Sequence, residues 1–257
     1  MIRREAGRSW LVISQVDHAR IAAEIATVWG SDELSPLPWP EILVPAIRMH
    51  DDGWKEWEAE PQVDPVSGGP RNFTEMPMPE ATAIWSRSIA QAAKKHPLAG
   101  LWVSKHFAHL AMMARPARRA DKTEKAAIDQ FVIGQKTLRS SFRRAALSMF
   151  HDIPELEAAI EVGFKWLQFF DALSLWICCA LETEPATFSL PDDRQLTAQP
   201  QSSENIVLTP WPLKPKLLTL SLSARRIVSR PYPDAAQLEE ALLFGSPASL
   251  HWRLKVV

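Results

Sequence analysis

The sequence predicts a mainly α-helical bundle with a small β-sheet, formed by the C-terminal segment and able to recruit an N-terminal strand. Three observations predict it. Apolar residues recur at helical spacing in successive segments from about residue 15 to residue 181. One of those segments, Glu155 to Leu181, is apolar around nearly its whole circumference and so belongs at the centre of a bundle. Beyond residue 203 the character changes, and Ile206-Val207-Leu208, Leu217 to Leu222 and Ile227-Val228 read as strands. The expected division is a helical domain over residues 1–185 and, over 186–257, a linker with a small β-rich extension packed on it.

The totals bound the class of protein. A chain of 257 residues can bury a substantial core. Its 29 basic and 30 acidic residues leave a formal net charge of -1, which offers no signal for nucleic acid or an anionic membrane. No apolar run reaches the roughly 18 to 20 residues that cross a bilayer, and Trp10-Leu11-Val12-Ile13 is too short for a signal-peptide core. Cys178 and Cys179 are adjacent in an apolar helix, which suits packed small hydrophobes in a reducing compartment; the expectation is a cytoplasmic protein. The 21 prolines cluster between periodic segments, as in ordered helices joined by long loops.

In chain order, Trp10 to Ile13 reads as a short strand, followed by a helix with the stripe Ile21, Ala22, Ile25 and Val28. His18 lies on that stripe and points inward, with Gln15 and Asp17 near it. After the loop Ser35 to Trp39, Pro40 is suited to begin the next helix, whose Leu43, Ala46 and Ile47 place His50 toward the interior. Asp51 follows about 100° further round and can converge with His50 on one ion. Gly53 is read as a sharp turn and Trp54 as an apolar neighbour of the site. From Glu58 to Pro79 the chain is rich in proline and glycine; a loop of this length reads either as a surface loop or as a lid offering Arg71 or Asn72 to a substrate.

Ala81 to Lys95 is amphipathic, and His96-Pro97 ends it. The helix from Leu98 to Ala114 sets His106 among Trp102, Val103 and Leu110, facing inward, with Lys105 and His109 on the adjacent face. Lys122 to Phe150 is a further long helix, with a basic side carrying Arg139, Arg143 and Arg144. In the central helix Asp171 interrupts a run that includes Phe164, Trp166, Phe169, Phe170 and Trp176. A carboxylate there costs several kcal/mol unless it is paired, hydrogen-bonded or bound to a cation. That helix offers no buried lysine or arginine near Asp171, whereas the three inward histidines are ready metal ligands. Thr183 to Ser203 reads as a polar linker, Ala235 to Leu243 as a helix and Leu250 to Val257 as a last strand.

Collected, the inward polar residues are His18, His50 with Asp51, His106 and Asp171, each group on a different helix. Imidazole and carboxylate donors suit one or two divalent ions such as Fe, Mn, Zn, Co or Ni, which ligand type does not distinguish. The order His, His-Asp, Asp is similar to that of the HD-domain superfamily of all-helical, metal-dependent phosphohydrolases, over residues from about 15 to 180. Gln15-Val16-Asp17-His18, His50-Asp51-Asp52-Gly53-Trp54, Val103-Ser104-Lys105-His106-Phe107 and the late Pro210-Trp211-Pro212 resemble an uncharacterised bacterial domain-of-unknown-function family spanning nearly the whole chain.

The superfamily resemblance implies hydrolysis of a small phosphorylated or nucleotide-like substrate. His18, His50, Asp51 and Asp171 then form the primary metal site, with His106 a ligand of a second ion or a phosphate contact. Asp52 and Lys105 take catalytic roles, orienting water and gripping phosphate, while Arg71 and Trp54 border the substrate. A minority of the same superfamily implies the alternative of a di-iron oxygenase. A non-enzymatic ligand-binding or interaction module is the third reading, and it leaves Asp171 without an explanation.

Overall fold

The computed structural model describes residues 1–179 and 184–256. Strands β1 (Ile2–Ala6) and β2 (Ser9–Ile13) form an antiparallel hairpin whose turn places Gly7 at φ +65°, a left-handed conformation that a side chain would strain. Ser14 then caps helix α1 (Gln15–Thr27), its hydroxyl oxygen accepting from the Asp17 amide. Helix α2 (Pro40–Met49) starts on a proline, as predicted, and leads through a turn at residues 50–53 into the short α3 (Trp54–Ala59). Helices α4 (Met78–Lys95) and α5 (Pro97–Arg118) meet at His96, whose Nδ1 accepts from the Leu98 amide. After α6 (Lys122–Ala146), α7 (Ile153–Cys179) runs through the middle of the molecule. Trp29 meets Trp166, Phe169 and Phe170 of α7 edge to face, with centroids 5.2 Å apart in each pair. The predicted helix end at Leu181, the linker start at Thr183 and the strand end at Val257 lie outside the described residues.

The expectation of a mainly α, HD-domain-like bundle with a small sheet is overturned. Helices hold 54% and strands 20% of the structure, and the strands form one curled, mixed, seven-stranded sheet: a substantial α/β fold. Its further members are β3 (Ala186–Ser189), β4 (Gln195–Pro200), β5 (Asn205–Thr209), β6 (Leu217–Val228) and β7 (Ser246–Lys255). The order is β1-β2-β6-β7-β5-β4-β3, so the N-terminal hairpin joins the C-terminal strands through β2 and β6. Only the β5–β7 pair is parallel among the described strands. Helix α8 (Ala235–Phe244) bridges β6 and β7.

Three strands escaped the sequence reading for one physical reason. A strand solvated on one face needs an apolar residue only at alternate positions, and short ones then look like polar connections. β1 is Ile-Arg-Arg-Glu-Ala, while β3 and β4 lie inside the stretch read as a linker, where Phe188, Leu196 and Ala198 face inward. The sheet shares its apolar core with the helices: Leu196, Leu208, Leu220, Leu222 and Leu254 belong to the same buried cluster as Ile21, Leu43, Trp102 and Leu167.

The loop read as a lid is tied down elsewhere. Asp64 accepts from the Ser67 amide at 2.6 Å and the Ser67 hydroxyl at 2.7 Å, making a tight local turn. Arg3 from β1 donates to the Pro70 carbonyl and forms an ion pair with Glu75, and the Tyr232 amide donates to the Gly68 carbonyl. Residues 58–79 therefore brace the N-terminal hairpin against the segment after β6.

Candidate metal centre

Three buried imidazoles and two carboxylates converge where α1, α2, α5 and α7 meet. His18 comes from α1, His50 and Asp51 from the end of α2, His106 from α5 and Asp171 from α7. The histidine side chains are at most 3% exposed, whereas Asp171 keeps 13% exposure, toward a cavity described below. Donor atoms of His18, His50, Asp51 and Asp171 all lie within 4.8 Å of one another, close enough to share one ion. This is the local consequence of four apolar helix faces, each contributing one or two polar groups in a fixed direction.

The hydrogen bonds reveal how the rings are oriented. His50 Nδ1 lies 2.7 Å from the Ile47 carbonyl oxygen. A carbonyl only accepts, so Nδ1 carries the hydrogen and the lone pair of a neutral ring sits on Nε2. That Nε2 faces Asp171 Oδ1 at 3.2 Å and Asp51 Oδ2 at 3.4 Å. His18 repeats the pattern: Nδ1 is 2.9 Å from Ser174 Oγ, whose own hydrogen goes to the Asp171 backbone carbonyl at 3.0 Å. His18 Nε2 is therefore directed at Asp51 Oδ2, 2.7 Å away. Two nitrogen lone pairs and two carboxylates face a common point. Only positive charge, a proton or a metal ion, reconciles them.

The titration behaviour follows. Burial would lower the His50 pKa, but the Asp51 charge and the hydrogen bond and charge of Asp171 outweigh it, raising the pKa from 6.5 to about 9. Burial would raise both carboxylates; the His50 charge and the His18 hydrogen bond instead hold Asp51 below its usual range, and the His50 hydrogen bond with the His106 and His50 charges does the same for Asp171. His106 differs. Burial dominates over the Asp171 charge and pushes its pKa down to about 4. Its Nε2 lies 3.7 Å from Asp171 Oδ2, and its buried Nδ1 has no hydrogen-bond partner among the described residues.

The residues assigned to catalysis and substrate are engaged with other partners. Asp52 pairs with Lys55 at 2.8 Å, Lys105 pairs with Glu161, and Arg71 pairs with Glu80 at 3.2 Å. Trp54 is buried edge-on against Trp57. None of the four lines the cavity of about 650 Å³ that opens on Asp171 and His106 between α5, α7 and the β3–β4 turn. Asp17 accepts from the Ser14 hydroxyl, and the Gln15 backbone N–H donates to Glu58, while the buried side-chain Nε2 of Gln15 has no hydrogen-bond partner among the described residues. Gly53 has an ordinary φ of −66°, and its role is close approach, since a Cβ there would sit 2.7 Å from the Ser88 nitrogen of α4.

Sequence reasoning missed Ser174 and the cavity wall from β3. The signal for Ser174 was present: a hydroxyl one helical turn after Asp171 in an otherwise apolar run shares that carboxylate's face.

The model of a family described as "Protein of unknown function (DUF3891)" matches residues 1–229, and the chain belongs to that family. No curated protein and no solved structure matches the chain.

Proposed function

We propose that this DUF3891 protein binds a divalent transition-metal ion through His18, His50, Asp51 and Asp171 and hydrolyses a phosphoester of a small molecule. The observation that carries the metal reading is the orientation of the two rings. Both Nδ1 hydrogens are committed to fixed acceptors, so both Nε2 atoms meet the Asp51 and Asp171 carboxylates and need a proton or a metal ion between them. Mixed imidazole and carboxylate donors suit iron, manganese, zinc, cobalt and nickel. When bound, such an ion supplies Lewis acidity toward phosphoryl oxygens and a water of lowered pKa. The chain's own residues do the rest: the Ile47 carbonyl and Ser174 hold the rings, and the helical interior excludes bulk water. His106, neutral at the cavity floor, offers Nε2 to a phosphoryl oxygen or a second ion. The hydrolytic assignment rests on the open cavity beside Asp171 and on the similarity of the order His, His-Asp, Asp to the HD-domain superfamily.

Metal analysis of the purified protein, before and after reconstitution, followed by a phosphoester and nucleotide panel, tests this. One ion or more per chain and metal-dependent turnover are expected, both lost in Asp171→Asn. A protein that takes up none of these ions refutes the metal reading, and a loaded protein inert toward every ester refutes the hydrolase.

Oxygen chemistry is the second reading. Asp171 Oδ1 faces His50 and His18 while Oδ2 faces His106, a disposition that would suit the two ions a di-iron oxygenase needs and equally a two-metal hydrolase. Anaerobic loading with ferrous iron separates the readings, because a di-iron oxygenase develops an oxygen-dependent absorbance change.

A further inference from the structure

We propose that the cavity beside Asp171 selects a phosphomonoester with a flat, apolar body, an aryl phosphate, over a nucleoside polyphosphate; the inference rests on the hydrolase reading and names its substrate class. The cavity, about 650 Å³, has its polar floor at His106 and Asp171. That volume holds a phosphate with one or two fused rings. Its walls are mainly apolar, with Leu110 and Met113 from α5, Phe169 from α7, and Phe188 and Leu190 from β3 and the turn after it. Phe188 is braced edge-on by Phe169 and Trp176, each 6.2 Å away between centroids. Rings favour such aromatic walls through stacked or edge contacts.

The charge on the walls argues against a polyphosphate. Lys165 is the only lysine or arginine lining the cavity among the described residues, and it has no carboxylate partner there; its Nζ reaches the Pro191 carbonyl at 3.4 Å. Asp193, which also lines the cavity, offsets it. A divalent ion at the floor would in turn be offset by the Asp51 and Asp171 carboxylates. One phosphoryl group can therefore be met by the ion and Lys165, whereas the charge along a triphosphate would find no further lysine or arginine among the described lining residues, only the imidazoles of His106 and His109. Sites that handle nucleoside triphosphates surround the phosphates with dedicated cations and backbone amides. Gln168 and Ser189 can orient a ligand but carry no charge.

Two measurements on the metal-loaded full chain test the inference. In the first, kcat/KM is compared for 1-naphthyl phosphate, glycerol phosphate and ATP. The aryl ester is expected to exceed both others by about tenfold, the worth of burying part of a ring. Phe188→Ala and Met113→Ala should shrink the aryl-to-glycerol ratio by a similar factor, with unchanged metal content. Met113 is 67% exposed, so its variant has little folding role to lose. Lys165→Met should raise KM for both monoesters. Equal turnover of the two monoesters, or preference for ATP, overturns the inference while leaving the hydrolase standing. In the second, calorimetry follows phenylphosphonate, which cannot be hydrolysed. Binding weakened by Phe188→Ala supports the cavity's ligand class even if no ester turns over, which would sink the hydrolase alone; absence of binding counts against the class.

Discussion

If the two-histidine, two-carboxylate cluster holds a metal, protons and metal ions must compete for it, and His50 sets the terms. In the metal-free protein its Nε2 faces two carboxylates, and its pKa stands at about 9 rather than 6.5. A folded-state pKa raised in this way contributes stability that is fully present below about pH 6.5 and is lost as pH rises through about 9, and the difference is worth about 3 kcal/mol. His106 acts in the opposite sense. Its pKa is depressed to about 4, so its contribution is present above about pH 6.5 and lost as pH falls through about 4, again by about 3 kcal/mol. The metal-free protein is therefore expected to be most stable near pH 6.5, with a loss on each side. Metal uptake must displace the His50 proton, so near pH 7 each ion bound should release about one proton, and affinity should rise about tenfold per pH unit until it levels off near pH 9. Calorimetry in buffers of different ionisation enthalpy reads the proton count, and urea melts with chelator or with excess metal read the two stability curves. The alkaline loss should appear only with chelator. Metal affinity that is constant from pH 7 to 8.5 with no proton release would refute the reasoning, because it would mean that Nε2 carries no proton for the ion to displace.

Three further outcomes follow from the geometry. Ser174→Ala removes the acceptor that holds His18 Nδ1–H, and metal affinity should fall roughly 10- to 100-fold with the fold retained, as read by chelator competition and circular dichroism. Gly53→Ala forces a Cβ against the Ile84 carbonyl and the Ser88 nitrogen, two residues from Asp51; it should cost about 1–3 kcal/mol in a urea melt and weaken metal binding as well. Gly163→Ala drives a Cβ into the Trp102 ring, whose Nε1 donates to the Ala159 carbonyl; it should destabilise by at least about 1–3 kcal/mol while the metal content of the folded fraction stays unchanged, separating core damage from site damage.

The readable part of the site was written in contrasts. Asp171 stands out because the residues around it, Phe169, Phe170, Leu173 and Ile177, are apolar and buried, and His18, His50 and His106 stand out because helical spacing sets them among residues that are buried. The helices were readable for the same reason, since a buried face repeats about every 3.6 residues over long spans. The sheet was less so. β1, β3 and β4 pair with strands next to them in sequence, but they are short and half-solvated, so each holds too few inward apolar residues for an alternating pattern to announce it. The cavity shared that fate, because its outer wall is β3 and the turn after it, a segment whose polar composition reads as a linker. Lys105 shows the converse limit: helical position places it near His106 and His109, but Glu161 on α7 claims its charge.

The misread sheet and the well-read cluster belong to one construction. Four helices are enough to gather the ligands, but a four-helix interior closed on all sides would leave Asp171 without access to a substrate. Here α7 carries Asp171 on its flank, and the chain after α7 returns as β3 to build the far wall of the cavity beside that carboxylate. Pairing of β3 with β4, and of β4 with β5, ties that wall to strands whose apolar residues share the helical core. Lys165 on α7 reaches the Pro191 carbonyl and Arg194 reaches the Glu33 carbonyl, so the turn is fastened at two points. If the cluster holds a metal and turns over a substrate as proposed, the helices supply the ligands while the sheet lines the approach to them, and a change in the β3–β4 segment should alter substrate preference before it alters metal content.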